Sequence, residues 1–244
     1  MTTGLSLRKR GRLAGAAYLA IFITGFTYQV FIPNTGVLTT DWGATVDHIV
    51  ANQSAFWIGF PISLLVIVAR LTWAQLYREL FGGVNDTVTR LSVLIYLVAT
   101  TLQAAMAIGL MAPVVLFSGA EYRTAFTPVQ LHALATSAME LYGLTYNVAL
   151  SFFAVNSVMV GYIMWRSGLV PRAVGASLVL SGIGWMTFFV PPVAAMLIPY
   201  NMIIGALGEA VVILWLVVMG ARTPLDKSIA LVPTDATLVR RNPA

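Results

Sequence analysis

Glu209, Arg70 and Glu140 are the residues best placed to do chemistry, because each falls inside a long apolar stretch. An ionisable side chain at the centre of a membrane-spanning helix costs about 2.5–3.5 kcal/mol on insertion scales, so it is a functional candidate by default. A carboxyl in such a place can serve as a general acid or base. Glu209 is surrounded by Gly205, Ala206, Gly208 and Ala210, small residues that let a neighbouring helix or a ligand come close. Asn201 and Gly205 precede it by eight and four residues and therefore share its helix face. Arg222 lies thirteen residues further on, about 20 Å along a helix, so Glu209 does not reach that interface.

Arg70 precedes Arg78 by eight residues, about 12 Å, and snorkelling relieves only part of its burial. Its natural partner at similar depth is Glu209, and that pairing decides whether the carboxyl is ionised. Trp73 and Tyr77 follow Arg70 on the same face. Aromatic walls beside a carboxyl can shelter a cation through their ring quadrupoles. Glu140 begins a polar stripe continued by Asn147 and Ser151.

Glu209 and Glu140 are thus the candidate catalytic residues. The candidate substrate-binding residues are Arg70, Trp73, Tyr77, Asn147, Phe152, Asn156, Trp185 and Asn201. A plainer reading stands beside each. Arg70 and Glu209 can be an ion pair that pins two helices, Glu140 an interfacial acid, and most aromatics packing or interfacial belts. His48 and His132 fall outside the apolar stretches and lack metal-ligand spacing. No phosphate loop, dinucleotide fingerprint, nucleophile elbow or aspartate-rich metal motif appears. Neither metal nor cofactor is expected, and any reaction would run on protein carboxyls.

The elements that must position these residues are membrane helices. Of 244 residues, 59% are hydrophobic and only 9% charged, against about 25% charged in soluble domains. Lipid must cover part of such a surface, and the long continuous apolar runs select helices over a barrel. With no cysteine, disulfides and thiolate chemistry are excluded.

The expected fold is an all-α, polytopic transmembrane bundle of about six helices, over 12–32, 56–80, 89–112, 131–165, 173–190 and 200–218. Residues 1–221 form one domain and 222–244 a polar tail. The first helix follows Arg8, Lys9 and Arg10 and reads as an uncleaved anchor. The loop over 33–55, with Pro33, Asp41 and Asp47, has room for a short interfacial helix. Gly82-Gly83-Val84-Asn85-Asp86 reads as a tight turn. The stretch from Leu131 to Trp165 is too long for one perpendicular crossing. It either projects outside with its first ten residues or breaks near Gly143. No internal repeat is evident, which argues against an inverted-repeat transporter.

Charge supplies the orientation. Arg8, Lys9, Arg10, Arg12, Arg78, Arg90, Arg166, Arg172, Arg222, Lys227, Arg240 and Arg241 all fall on one side, and Arg123 alone on the other. Both termini are expected in the cytoplasm, with the chain in the cell membrane. The formal charge of +5 is thereby read as topology and not as nucleic-acid binding.

Several stretches carry a family resemblance. They are Gly11-Arg12-Leu13-Ala14-Gly15 with Tyr18-Leu19, Leu76-Tyr77-Arg78, Phe152-Phe153-Ala154-Val155-Asn156, Gly161-Tyr162-Ile163, Arg166-Ser167-Gly168, Pro171-Arg172, Gly208-Glu209 and Leu214-Trp215-Leu216. Over roughly residues 11–221 the chain resembles the bacterial family known as domain of unknown function 4386. The resemblance implies six helices and no established activity. Where members of that family often carry histidine, this chain has Asn156.

Three functions are open to such a chain. The first is a membrane-embedded enzyme acting on a lipophilic, isoprenoid-like substrate, such as a proton-initiated terpene cyclase or isomerase. Its size resembles that of small membrane terpene cyclases, an analogy at the level of fold. The second is a solute or proton-coupled carrier using Arg70 and Glu209, which with six helices would be expected to form a homo-oligomer. The third is a non-catalytic membrane assembly partner.

Overall fold

The computed structural model describes residues 5–31 and 41–222. Pro33 and the tail cations Lys227, Arg240 and Arg241 lie outside the described residues. The described chain is helical throughout, with no strand among the described residues. Its helices are α1 (Leu7–Phe31), α2 (Trp42–Ala51), α3 (Gln53–Phe81), α4 (Asp86–Gly109), α5 (Ala112–Ser118), α6 (Ala120–Ala125), α7 (Pro128–Ser167), α8 (Arg172–Met186), α9 (Pro191–Leu197) and α10 (Tyr200–Val218). A 3-10 turn, Thr187–Phe189, extends α8.

Five described segments are long and apolar enough to cross a membrane: Gln53–Phe81, Asp86–Ser118, Pro128–Ser167, Arg172–Phe189 and Tyr200–Val218. The 25-residue α1 is about 37 Å long and packs against α3 and α10. Asn85 makes the tight turn after α3 productive, because its side chain accepts from Val88 N and caps α4 at 3.1 Å. The loop before α3 contains the short helix α2, capped by Asp41, whose carboxylate accepts from Ala44 N at 2.9 Å.

α7 is one continuous helix of 40 residues, about 60 Å long. Thr127 and Gln130 start it with a reciprocal capping box, and Gly168, at φ 68°, ends it in the left-handed region ahead of Pro171. The helix does not break at Gly143. Instead the Trp42 indole of α2 lies against that glycine and occupies the space of a side chain. The first half of α7 has α2, α5 and α6 packed around it, and Val46, Ile49, Val114, Ala135 and Met139 form a core there.

A larger core fills the opposite half of the bundle. Here helices meet at backbone distance. A Cβ on Gly161 of α7 would stand 2.7 Å from the Gly175 carbonyl of α8, so only glycine permits this crossing. The start of α1 meets the end of α10 at this end as well. Arg12 donates to the Val218 carbonyl at 2.7 Å, and Arg222 N donates to the Leu169 carbonyl at 2.8 Å. Leu80, Phe81 and Val84 bring the α3–α4 turn into the same cluster. Arg8, Lys9, Arg10, Arg12, Arg78, Arg90, Arg166, Arg172 and Arg222 therefore gather at one end of the bundle, while Arg123 sits on α6 at the other.

Candidate intramembrane ligand cavity

A cavity of about 430 Å³ opens between α1, α3, α4, α7, α8 and α10, in the middle of the bundle. Its walls are mostly apolar and aromatic, with a few polar side chains converging on it. That combination, within about 300–1,000 Å³, is the usual form of a small-molecule site.

α10 contributes Glu209. Ser181 donates to the Gly205 carbonyl at 2.7 Å and Ser177 to the Gly208 carbonyl at 3.3 Å, which fixes the register of α10 on α8. Gly205 leaves room for the Trp185 indole to cross α10 one turn before Glu209. Trp185 Nε1 then donates to Glu209 Oε1 at 3.0 Å. The buried Tyr18 hydroxyl of α1 neighbours the same carboxylate. Glu209 is half-buried by exposure, and the surface it retains faces the cavity it lines.

α3 contributes Arg70 and the buried Trp73 to another wall. Arg70 Nη1 donates to the Tyr96 hydroxyl of α4 at 3.3 Å, and its guanidinium lies over the Phe153 ring of α7 at 4.4 Å. The Arg70 Nε–H is buried with no protein partner. Arg70 and Glu209 line one cavity, yet no ion pair joins them. Each charge has found other company. The helix-pinning ion pair expected from their shared depth is therefore absent among the described residues. Tyr18 lies tilted against Trp73 with ring centroids 4.6 Å apart, closing the wall between α1 and α3.

The family model described as domain of unknown function (DUF4386) matches residues 13–220. The chain belongs to the DUF4386 family. No curated protein and no solved structure matches it. Every cavity residue named above lies inside the matched range of this DUF4386 chain.

Of the residues expected from sequence, Glu209, Arg70, Trp73, Asn156 and Trp185 line the cavity. Asn156 is buried, and its Nδ2 donates to the Ser92 carbonyl at 2.8 Å. The remaining residues stand elsewhere. Tyr77 is buried one layer out, where its hydroxyl accepts from Ser92 Oγ at 3.2 Å. Asn201 braces the segment before α10, donating to Thr187 Oγ1 at 3.0 Å and to the Ala194 carbonyl at 3.2 Å. Phe152 is 36% exposed on the outside of α7, and its neighbour Phe153 faces the cavity. Asn147 is half-buried, and Glu140 is exposed; neither lines the cavity.

Tyr18, Tyr96, Gln103 and Phe153 add to the polar and aromatic walls, and sequence reasoning places none of them in the site. Gln103 did carry a signal, being an amide inside the apolar run of α4. Among the described residues, no three His, Asp or Glu side chains cluster closely enough to hold a metal ion.

Proposed function

We propose that this DUF4386 protein is a membrane-embedded enzyme that binds a lipophilic small molecule in the central cavity and that Glu209 transfers its proton. The observation that carries this reading is a carboxyl on the wall of a mostly apolar cavity, held by the Trp185 indole. A carboxyl so fixed meets a bound ligand in a defined direction, as general acid–base catalysis needs.

The reaction class that suits these walls is proton-initiated cyclisation or isomerisation of an isoprenoid. The Glu209 carboxyl gives its proton to an alkene carbon or an epoxide oxygen. The resulting cation rearranges, and a proton lost from carbon returns to the carboxylate, so the acid is regenerated. Trp73, Tyr18 and Trp185 offer ring faces to the cation, while Phe153 is already engaged by Arg70. The test is turnover of an epoxidised prenyl substrate by the protein in lipid nanodiscs. Glu209→Gln is expected to lower turnover by about 10²–10⁴-fold, the usual contribution of a general acid. Equal turnover would remove Glu209 from the mechanism.

One observation favours a second reading. Arg70 and Glu209 present opposite charges to one cavity without pairing, which suits a proton-coupled carrier. Solute flux into liposomes that Arg70→Ala abolishes would support that reading in place of the enzyme. Under either reading the basic end of the bundle faces the cytoplasm and the chain resides in the cell membrane.

A further inference from the structure

Resting on the reading of the central cavity as a ligand site, we infer that Arg70 and Gln103 recognise the anionic oxygen head, carboxylate or phosphate, of an amphipathic ligand whose tail fills the main chamber. A second chamber, of about 80 Å³, adjoins the first. The two share Ile21, Gly25, Arg70, Gln103, Met106 and Tyr146, so Arg70 and Gln103 stand at their junction. The sizes differ in a way that sorts head from tail. The small chamber has less than a fifth of the volume of the large one, so a compact carboxylate or phosphate suits it and a hydrocarbon chain suits the larger.

Donor accounting gives the sign. A guanidinium carries five N–H groups in a planar fork matched to carboxylate and phosphate. Tyr96 takes one of them, Phe153 covers a ring-sized face, and the Nε–H is buried without a protein partner. Gln103 Oε1 is likewise buried without a partner. An amide turned by 180° presents its NH₂ instead, so Gln103 can donate to an anion or accept from a protonated head. Among the described residues the charged ones lining either chamber are Arg70 and Glu209, and Glu209 lines only the larger. Among the described residues Arg70 is therefore the one charge at the small chamber. A buried donor ordinarily has an acceptor, and here the acceptor is to come from the ligand.

The test uses dodecyl chains brominated at the far end, which quench tryptophan on contact, bearing carboxylate, phosphate, hydroxyl or trimethylammonium heads. Trp73 and Trp185 line the larger chamber and report the tail. Quenching is measured in nanodiscs and corrected for partition into protein-free discs. Carboxylate, phosphate or both are expected to bind at least about 10-fold more tightly than the alcohol, about 1.4 kcal/mol. Whichever anion binds more tightly names the source. Arg70→Gln is expected to bring the anions down to the alcohol, and Arg70→Lys to keep a weaker preference. If Arg70→Gln fails to fold, Gln103→Leu serves instead, lowering anion affinity several-fold with the alcohol unchanged. Equal binding of anion and alcohol, a preference for trimethylammonium, or an anion preference untouched by both variants would overturn the assignment while leaving the cavity as a ligand site. No saturable quenching by any head would overturn the cavity reading itself.

Discussion

The indole N–H of Trp185 donates to the Glu209 carboxylate at 3.0 Å, tying the end of α8 to the middle of α10 inside an apolar cavity. The carboxyl is thus held by a neutral donor, and Arg70 keeps to Tyr96 and Phe153. A direct ion pair would have used both charges on each other. Their separation leaves two distinct polar poles on one cavity, each open to a bound molecule.

Trp185→Phe keeps an aromatic side chain but removes the donor together with the second ring of the indole. A buried acceptor stripped of its partner costs about 1–3 kcal/mol. The variant is expected to lose that much stability in denaturant titrations in lipid or detergent, and Glu209→Gln in the same background should add little further loss. A full additive loss from the double variant would show that the two side chains do not act together.

Gly205→Ala tests the step that lets the hydrogen bond form. A methyl group on Gly205 collides with the Trp185 ring, whereas one on Gly109 meets nothing within 4 Å. Overpacking of this kind costs about 1–3 kcal/mol. The expected result is a destabilised Gly205→Ala protein with altered tryptophan emission, beside a Gly109→Ala protein of unchanged or slightly higher stability. Indistinguishable variants would mean that Trp185 has room to move aside.

The sequence is legible where lipid dictates it. A span needs about twenty apolar residues, and this alone places most of the helices; the cap at Asn85 and the gathering of arginines at one end are equally local. Depth along a helix is also legible, so Glu209 and Arg70 come out at comparable levels. Azimuth is not. Phe152 and Phe153 are adjacent aromatics about 100° apart around α7, and the packing of α7 on α4 is what turns Phe153 inward. Tyr18 and Tyr96 are hidden among other tyrosines for the same reason. The space beside Gly143 on the continuous α7 is filled by the Trp42 indole, more than a hundred residues earlier, and no local pattern announces it.

The absence of cysteine makes orientation directly measurable. Gly83, in the α3–α4 turn, has open space beside its Cα, and Glu121, on α6, is at the opposite end of the bundle. A membrane-impermeant maleimide applied to intact cells is expected to label Glu121→Cys, and Gly83→Cys only after permeabilisation. The reverse pattern would invert the bundle.

Glu140 and Glu209 are the two carboxyls that sequence alone nominates for chemistry, and the fold treats them differently. Glu140 is exposed on the first half of α7, away from the cavity, whereas Glu209 lines it and is held by Trp185. A general acid must stand within hydrogen-bond reach of the atom it protonates in a bound substrate. An exposed carboxyl outside the cavity has no such atom before it, so Glu140→Gln is expected to leave turnover within about two-fold of wild type, small beside the 10²–10⁴-fold expected for a general acid. Single-turnover rates of the two variants, measured with saturating substrate in nanodiscs, separate loss of chemistry from loss of binding. A large fall with Glu140→Gln and none with Glu209→Gln would move the reaction out of the central cavity to the outer end of α7.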